Sequence, residues 1–360
     1  MKPTFHTLTI TEVTQETKDC CSIAFEVPAE LEEAYQFVQG QYLTLKTDID
    51  GEEVRRSYSI CSSPKEEELR VAIKQVPNGK FSTFANEKLK KGDQLEVMTP
   101  TGKFYTELHP DHQKHYVGVA AGSGITPILS ILKAVLEIEP KSRFTLLYGN
   151  KNTGSIIFKE QIEALKNKYM SRLIVHYFLS REMLDAPLMN GRIDKEKCGA
   201  IFTRLLDVQD IDECFSCGPE PMIFAVRDSL LEQGFDEKKI HFELFTSPLG
   251  KLGQERKRVT KEEDKGKVTE VTIKLDGKAF QFDLPFDSDN LLDAALKQGA
   301  DLPFACKGGV CCTCRAKLLE GQVDMEVNYA LEQEEVEAGF ILTCQAFPTT
   351  EKVVVDFDQV

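Results

Sequence analysis

Four cysteines near the C-terminal end, Cys306, Cys311, Cys314 and Cys344, follow the order Cys-x4-Cys-x2-Cys-x29-Cys. Thiolates bind soft metals, and three ligands crowded into one loop with a fourth standing alone match the spacing that holds a two-iron, two-sulfur cluster. The loop text, Pro303-Phe304-Ala305-Cys306-Lys307-Gly308-Gly309-Val310-Cys311-Cys312-Thr313-Cys314, is rich in small residues. Such a backbone can curl round inorganic sulfides and aim amide hydrogens at them. Two other readings stand beside this one: a structural zinc site, which usually pairs two short Cys-x2-Cys hooks, and a set of inert core thiols. Putting Cys312 in place of Cys311 gives spacings of five and one, which no such cluster uses, so Cys312 is read as a non-ligand. The chemistry that follows is one-electron transfer.

Other segments carry groups suited to a nucleotide or a flat ring. Ala120-Ala121-Gly122-Ser123-Gly124-Ile125-Thr126-Pro127 follows a strand-like run and opens a helical one, so its glycines can bring backbone close to a pyrophosphate at the positive helix end. Pro127 stands where the usual dinucleotide fingerprint has its third glycine, and tight packing alone would also use such a turn. Cys214-Phe215-Ser216-Cys217-Gly218-Pro219-Glu220-Pro221-Met222 closes a later strand, where doubly wound sheets bind ligands, and Cys217 is placed to line a nicotinamide pocket. Its Cys-x2-Cys also admits a redox dithiol. Arg56-Ser57-Tyr58-Ser59 offers a cation, an aromatic face and a hydroxyl, which could hold a phosphate and stack on a ring or simply pack a strand. Gly79-Lys80-Phe81-Ser82 reads as a phosphate cradle at a helix start, or as a turn.

These groups need scaffolds. From Phe5 to about Thr106, short β-rich runs separated by turn residues predict an antiparallel β-barrel, interrupted by one helix from Ser82 to Leu89 with Ser82 capping its start. From His115 to about Phe245, strands alternate with longer helical segments: Tyr116–Ala120, Ile128–Glu137, Arg143–Tyr148, Ser155–Lys168, Leu173–Phe178, Glu213–Cys217 and Pro221–Gln233. That alternation predicts an α/β, doubly wound parallel sheet. Residues 247–267, poor in large apolar groups and rich in Lys, Glu and Gly, read as a linker. Beyond it, a hairpin around Asp276-Gly277 joins Glu270–Leu275 to Ala279–Leu284, and Asn290–Gln298 is helical before the cysteine loop. The expected division is 1–110, 111–246, a 247–267 linker and 268–360.

In type and order, these motifs resemble the ferredoxin–NADP reductase superfamily with a plant-type ferredoxin domain attached. The resemblance covers essentially the whole chain and implies a flavin barrel, a nucleotide domain and an α+β, β-grasp ferredoxin domain. It implies FAD held by Arg56 on the pyrophosphate, Tyr58 on the isoalloxazine and Ser59 near its reactive nitrogen, with Gly79, Ser82 and Thr83 completing the phosphate site. The nicotinamide nucleotide would be bound through Gly122, Gly124 and Thr126, with Cys217 and Gly218 of the Cys-Gly-Pro-x-x-Met motif beside the reacting carbon. Glu243 and Phe245 match the family's closing segment near the flavin, so Cys217, Ser59 and Glu243 are the implied catalytic residues. For the coenzyme, the run Arg143–Tyr148 ends in Gly149-Asn150 without a carboxylate for the ribose of NAD, and Ser180-Arg181 resembles a 2′-phosphate site, which favours NADPH. Arg192 is a second candidate cation. Within the superfamily the domain order resembles the reductase components of oxygenases, and a di-iron oxygenase is the implied partner. Reductases of other hydroxylases or desaturases share the pattern, and a flavin and iron–sulfur redox sensor without steady turnover is a rival of a different class.

Composition bounds the rest. A chain of 360 residues is too long for one ordinary core. Its net charge of −14 disfavours nucleic acid and anionic membrane. Residues 267–360 hold 8 Lys/Arg against 17 Asp/Glu, so the cluster end is the acidic end, and the run Glu332–Glu337 is a candidate docking surface. Eleven cysteines, an odd count in a long chain without a signal-like start, suit a reduced cytoplasm better than a disulfide framework. The most apolar stretch, Tyr116 to Ile138, is broken by glycines and Pro127, as strand, turn and helix rather than a membrane span. The His109, His112 and His115 run contains Pro110 and reads as connecting loop, not a metal site.

Overall fold

The computed structural model describes residues 4–245 and 266–359, and the predicted linker lies outside them except for its last two residues. The chain forms two compact units, residues 1–245 and 246–360.

The first unit begins with β1 (Phe5–Thr17), β2 (Cys20–Glu26), β3 (Tyr42–Ile49), β4 (Glu52–Ser59) and β5 (Leu69–Lys74), then α1 (Lys80–Glu87) and β6 (Gln94–Met98). These strands make one antiparallel sheet in the order β4-β3-β6-β1-β2-β5. Two register shifts in β1 bend it. The sheet curls until its ends meet through a single bridge between Ile60 and Val71, a barrel-like rather than fully closed sheet. Alternate residues such as Leu8, Ile10, Ile23, Leu43, Leu45 and Val71 fill its interior.

The helix inside this sheet starts two residues before the expected position. Gly79 is its N-cap, and Ser82 lies in the first turn, where its Oγ accepts from Val76 N at 3.2 Å and donates to Gly79 O at 3.3 Å. Ser82 therefore ties the approach loop to the helix rather than capping it. Phe81 and Ala85 insert into the barrel core, and that burial sets where the helix begins.

Next come β7 (His115–Ala121), α2 (Ile125–Ile138), β8 (Arg143–Asn150), α3 (Lys159–Lys168), β9 (Leu173–Leu179), α4 (Lys195–Arg204), β10 (Glu213–Gly218), α5 (Glu220–Glu232) and β11 (Ile240–Leu244). All five strands run parallel in the order β11-β10-β7-β8-β9. Crossovers leave β7 in one direction and β10 in the other, so right-handed connections put α2 and α3 on one face and α4 and α5 on the opposite one. Every residue from Ile125 to Leu136 of α2 is buried. One side of α2 packs on the sheet and the other meets the barrel, where Ser130 Oγ donates to Ser62 O at 2.7 Å and Lys133 pairs with Glu66 at 2.9 Å. Cys20, Cys61, Ala72 and Phe104 of the barrel side share one apolar cluster with this helix and the parallel sheet. A helix buried on both sides is thus explained by two protein neighbours, with the few polar groups it carries partnered across the barrel contact.

The expected helix Ser155–Lys168 is shorter. Ile156, Ile157 and Phe158 are pulled into the core, Phe158 takes a left-handed φ of 59°, and helix begins only at Lys159. Helix α4 was not expected from the sequence; Asp194 caps it by accepting from Lys197 N at 3.0 Å, and Cys198, Ile201 and Phe202 form its buried stripe.

The second unit contains β12 (Val268–Leu275), β13 (Lys278–Pro285), α6 (Leu291–Lys297), β14 (Arg315–Glu320), β15 (Val323–Met325), α7 (Gln333–Glu337), β16 (Phe340–Leu342), β17 (Ala346–Pro348) and β18 (Lys352–Asp356). The mixed sheet β13-β12-β18-β14-β16 grasps α6, whose Leu291, Leu292, Ala294 and Ala295 are buried in its core. The turn between β12 and β13 has Asp276 and Gly277 both at positive φ, 54° and 68°, as a two-residue hairpin requires. This is the β-grasp form.

Candidate functional site

The strand order creates a crevice. The order in which strands are added reverses between the parallel neighbours β7 and β10, and their C-terminal ends, Ala120 opposite Cys217, mark the place where open α/β sheets bind ligands. Gly122 turns with φ 55°, and Tyr148 OH donates to its carbonyl at 3.0 Å. A Cβ at Gly124 would stand 2.0 Å from the carbonyl oxygen of Cys217, so only glycine lets the turn lie against β10. Thr126 Oγ1 donates to Ser123 O at 3.0 Å and holds the first turn of α2. The amides of that turn and the helix end favour an anion.

Lys74, at the end of β5, adds a cation that the sequence reading missed: its Nζ lies 3.8 Å from where a Gly122 Cβ would be. Nothing local in Leu69–Lys74 distinguishes it; only the meeting of barrel and parallel sheet brings it there. At the end of β8, the Asn150 amide is buried beside the Tyr148 hydroxyl, at the mouth of the crevice. Gly149 and Asn150 therefore end β8 with amide rather than carboxylate chemistry. Ser180 follows β9, its N and Oγ both directed to Asn150 O at 3.0 and 3.3 Å, while Arg181 is exposed and its N bonds Lys151 O at 2.7 Å. Arg192 is also exposed, beyond the bridge that joins Leu179 to Asn190.

On the other side of the crevice stand three reactive side chains. Ser59, at the end of β4, donates from Oγ to Glu243 Oε2 at 2.9 Å, across 184 residues of chain. Glu243 is paired in register with Cys217, whose side chain is fully buried. Burial pushes the Cys217 thiol well up, and the nearby Glu243 pushes it further, so it is a neutral contact rather than a nucleophile. Burial likewise raises the Glu243 carboxyl to about 7, against the lowering effect of the Ser59 hydroxyl. Glu243 is only half-buried by accessible surface; dense protein around the carboxyl, not complete exclusion of water, raises it.

A carboxyl that binds its proton more tightly in the folded chain contributes less stability as pH rises from 4.5 through 7. Glu243→Gln should therefore gain on the parent over that interval, by up to about 3 kcal/mol. Denaturant unfolding across the pH range reads this directly, and a constant difference between the two proteins would contradict it.

Around Ser59, Tyr58 packs its ring 5.6 Å from Phe81, and Arg56 donates from Nη1 to Arg55 O at 2.7 Å. Gly79 leaves no room for a side chain, since a Cβ would meet Ser82 Oγ at 2.4 Å. Thr83 accepts from Gln75 Nε2 only at a long 3.4 Å. Gly218 opens the loop to α5, and a Cβ there would meet Met222 Cε at 2.7 Å. Phe245 ends the unit with an exposed ring. Ser59 thus reaches the crevice through Glu243, while the same barrel carries a cation in Arg56, a ring in Tyr58, hydroxyls in Ser82 and Thr83 and a helix N-terminus at Gly79, the kinds of group a flavin needs.

The Cys-x2-Cys pair does not meet the needs of a dithiol. Cys214 and Cys217 are three apart on one strand and face opposite sides of the sheet, Cys214 beside Cys198 of α4. The three histidines also have structural partners: His109 Nδ1 accepts from Asp111 N at 3.2 Å, His112 Nδ1 lies 2.8 Å from Glu139, and His115, inside β7 rather than a loop, lies 2.9 Å from Thr145.

In the second unit the four cysteines stand as two pairs. All four are free thiols: Cys311 Sγ lies 3.0 Å from Cys306 Sγ, and the Cys314 and Cys344 thiols are within hydrogen-bond reach of each other. Among the described residues no three His, Cys, Asp or Glu side chains converge as a single-ion site requires. Two pairs suit two irons, each taking two thiolates. The loop is shaped for this: Lys307 and Gly309 have φ of 50° and 72°, and Gly308 N donates to Cys306 Sγ at 3.3 Å. The Cys311 thiol and nearby amides hold the Cys306 sulfur below the ordinary thiol range despite burial. Cys312 instead donates to Ala330 O at 3.1 Å. Behind Cys314, Thr343 donates from N and Oγ1 to its carbonyl at 3.1 and 2.9 Å.

Known proteins share this arrangement. The chain matches an oxidoreductase FAD-binding domain over residues 7–105, an oxidoreductase NAD-binding domain over 119–228 and a 2Fe-2S iron-sulfur cluster binding domain over 273–349. It is 46% identical to a component of the 1,2-phenylacetyl-CoA epoxidase of Escherichia coli (strain K12), over 99% of this chain and 98% of that protein. The chain belongs to the ferredoxin–NADP reductase family with a C-terminal 2Fe-2S domain. This reductase is also 34% identical to the ferredoxin reductase component of 3-ketosteroid-9-alpha-monooxygenase from Rhodococcus rhodochrous, over 97% of this chain and 96% of that one. In fold it is similar to phthalate dioxygenase reductase, with a TM-score of 0.58 at 21% identity, covering 98% of both chains. It is an NAD(P)H-dependent oxidoreductase with FAD, pyridine nucleotide and 2Fe-2S domains. No helix among the described residues is long and apolar enough to cross a membrane.

Proposed function

We propose that this reductase passes electrons from NADPH through FAD and the 2Fe-2S cluster to a di-iron oxygenase component, that of a phenylacetyl-CoA epoxidase, in the cytoplasm. The observation that carries the partner is the 46% identity to a component of such an epoxidase across nearly the whole of both chains. The Ser59-Ile60-Cys61 extension of the flavin motif and the Cys306–Cys314 loop favour the same partner.

When bound, the nicotinamide supplies a hydride, the flavin turns electron pairs into single electrons, and the cluster carries them onward. The chain's own residues position these groups. Arg56, Gly79, Ser82 and Thr83 would hold the flavin phosphates, and Tyr58 and Phe245 would lie against its ring. Gly122, Gly124, Thr126 and Gly218 receive the nucleotide. Cys217, too buried to ionise, shapes the nicotinamide pocket. Glu243 Oε2, able to hold a proton near neutrality, accepts from Ser59 Oγ, and the pair would orient and supply a proton-holding group at the edge of a bound flavin. Cys306, Cys311, Cys314 and Cys344 ligate the cluster.

The decisive experiment is reconstitution. With the purified oxygenase components of the epoxidase and NADPH, this reductase should support phenylacetyl-CoA turnover; reduction of cytochrome c without any such turnover would reject the partner. For the coenzyme, Ser180 and Arg181 offer a hydroxyl and a cation to a 2′-phosphate. Arg181→Ala should lower the NADPH-to-NADH ratio of kcat/KM about tenfold, the loss of one charge-assisted contact. Equal use of both coenzymes by the parent, with no change in the variant, would refute the assignment.

A further inference from the structure

The residue after the third cluster cysteine is a cation in a half-dry setting. Arg315 opens β14 directly after Cys314, and its guanidinium pairs with Glu335 of α7, the two side chains being only 16% and 14% exposed. The same guanidinium lies over the Phe340 ring, 4.2 Å from its centroid, and Arg315 is in register with Leu342, two residues before Cys344. Glu335 is held in turn, because its carboxylate also receives Glu332 N at 3.2 Å in the capping box of α7. The charge pair is locked by a strand, a ring and a helix cap, one residue along the chain from Cys314 and, through its register partner Leu342, two residues from Cys344, which keeps fixed charges close to whatever those thiols ligate. Partly buried charges are poorly screened, so they act on neighbouring charge more strongly than exposed ones.

We propose that Arg315 and Glu335 act as an opposed pair that sets the reduction potential of the 2Fe-2S cluster. Reduction adds one negative charge to the cluster. Arg315 favours that charge and Glu335 opposes it, so the pair holds the potential between two extremes. The acidic run of α7 is therefore not all free surface, since Glu335 is committed inward to Arg315. The inference rests on the cluster reading of the four cysteines.

The test uses the full-length holoprotein and a redox titration followed by the EPR signal of the reduced cluster. Glu335→Gln leaves the cation unopposed and should raise the reduced-to-oxidised ratio at a fixed potential by about tenfold, a shift of about +59 mV for one electron. Arg315→Gln should shift it in the opposite direction by a similar amount, and the double variant should return toward the parent. Opposite signs distinguish a charge effect from packing damage, which would move both variants the same way. If Arg315→Gln fails to load its cluster, Glu335→Gln with Glu335→Asp as the conservative rescue still decides. An unchanged or lowered potential in Glu335→Gln, or shifts of equal sign in the two single variants, would overturn the proposal. Absence of any cluster signal in the parent would instead remove the cluster reading on which it stands.

Discussion

Gly124→Ala is expected to lower kcat/KM for the nicotinamide nucleotide by about a hundredfold, the scale of effect when a binding turn is displaced by about 1 Å. The added Cβ would lie 2.0 Å from the oxygen, 2.5 Å from the carbon of Cys217 and 2.9 Å from Gly218 N. All three are backbone atoms of a strand paired on both edges, so no side chain can swing aside. The turn itself must move off β10, taking the amides at the start of α2 with it. Stopped-flow reduction of the flavin gives the rate, and flavin content with circular dichroism shows that the variant is folded. Gly199→Ala is the matched control. Nothing lies within 4 Å of its Cβ position in α4, and replacing a helical glycine should be neutral or stabilise by roughly 0.5–1 kcal/mol. A Gly124→Ala protein with parental nucleotide kinetics would mean that the turn does not carry the nucleotide.

Cys344→Ala should remove the cluster while sparing flavin reduction. Each iron of a two-iron cluster needs its pair of thiolates, and removing one leaves Cys314 without its partner. The reduced protein should then show no cluster EPR signal, and NADPH-dependent reduction of cytochrome c should drop by at least about tenfold, because the flavin loses its one-electron outlet. The rate at which NADPH bleaches the flavin should stay within about twofold, since the crevice residues belong to the other compact unit. Cys312→Ala provides the contrast. Its sulfur faces Ala330 O rather than the paired ligands, so cluster content should be unchanged. A retained signal in Cys344→Ala, or its loss in Cys312→Ala, would reassign the ligands.

Local chemistry was legible wherever the responsible residues are close in sequence. The hairpin at Asp276-Gly277 follows from two adjacent residues that tolerate positive φ. The glycine turn after β7 and the small residues of the cysteine loop were read in the same way. Where the sequence reading went astray, burial had overridden local preference. Ser82 is a plausible cap by type, yet packing of Phe81 started the helix earlier. Ser155 to Phe158 look helical, but Ile157 and Phe158 serve the core first. Helix α4 had a readable signal in Asp194 and the spacing of Cys198, Ile201 and Phe202.

By itself, the sequence determined the chemistry available to this protein: four thiolates at cluster spacing, glycine turns between strand and helix, and the order of β-rich barrel, parallel α/β sheet and cysteine-bearing end. Those features are encoded by neighbouring residues, whose backbone preferences act over a few positions. Only the tertiary structure decided which distant groups meet. Ser59 reaches Glu243, Lys74 reaches the Gly122 turn, and Arg315 is neutralised by Glu335. Each of these contacts depends on strand order and on the packing of whole elements, set by burying a shared apolar core rather than by any local pattern. The same packing separates Cys214 from Cys217, which adjacency in sequence had left open as a dithiol, because a strand turns residues three apart to opposite faces.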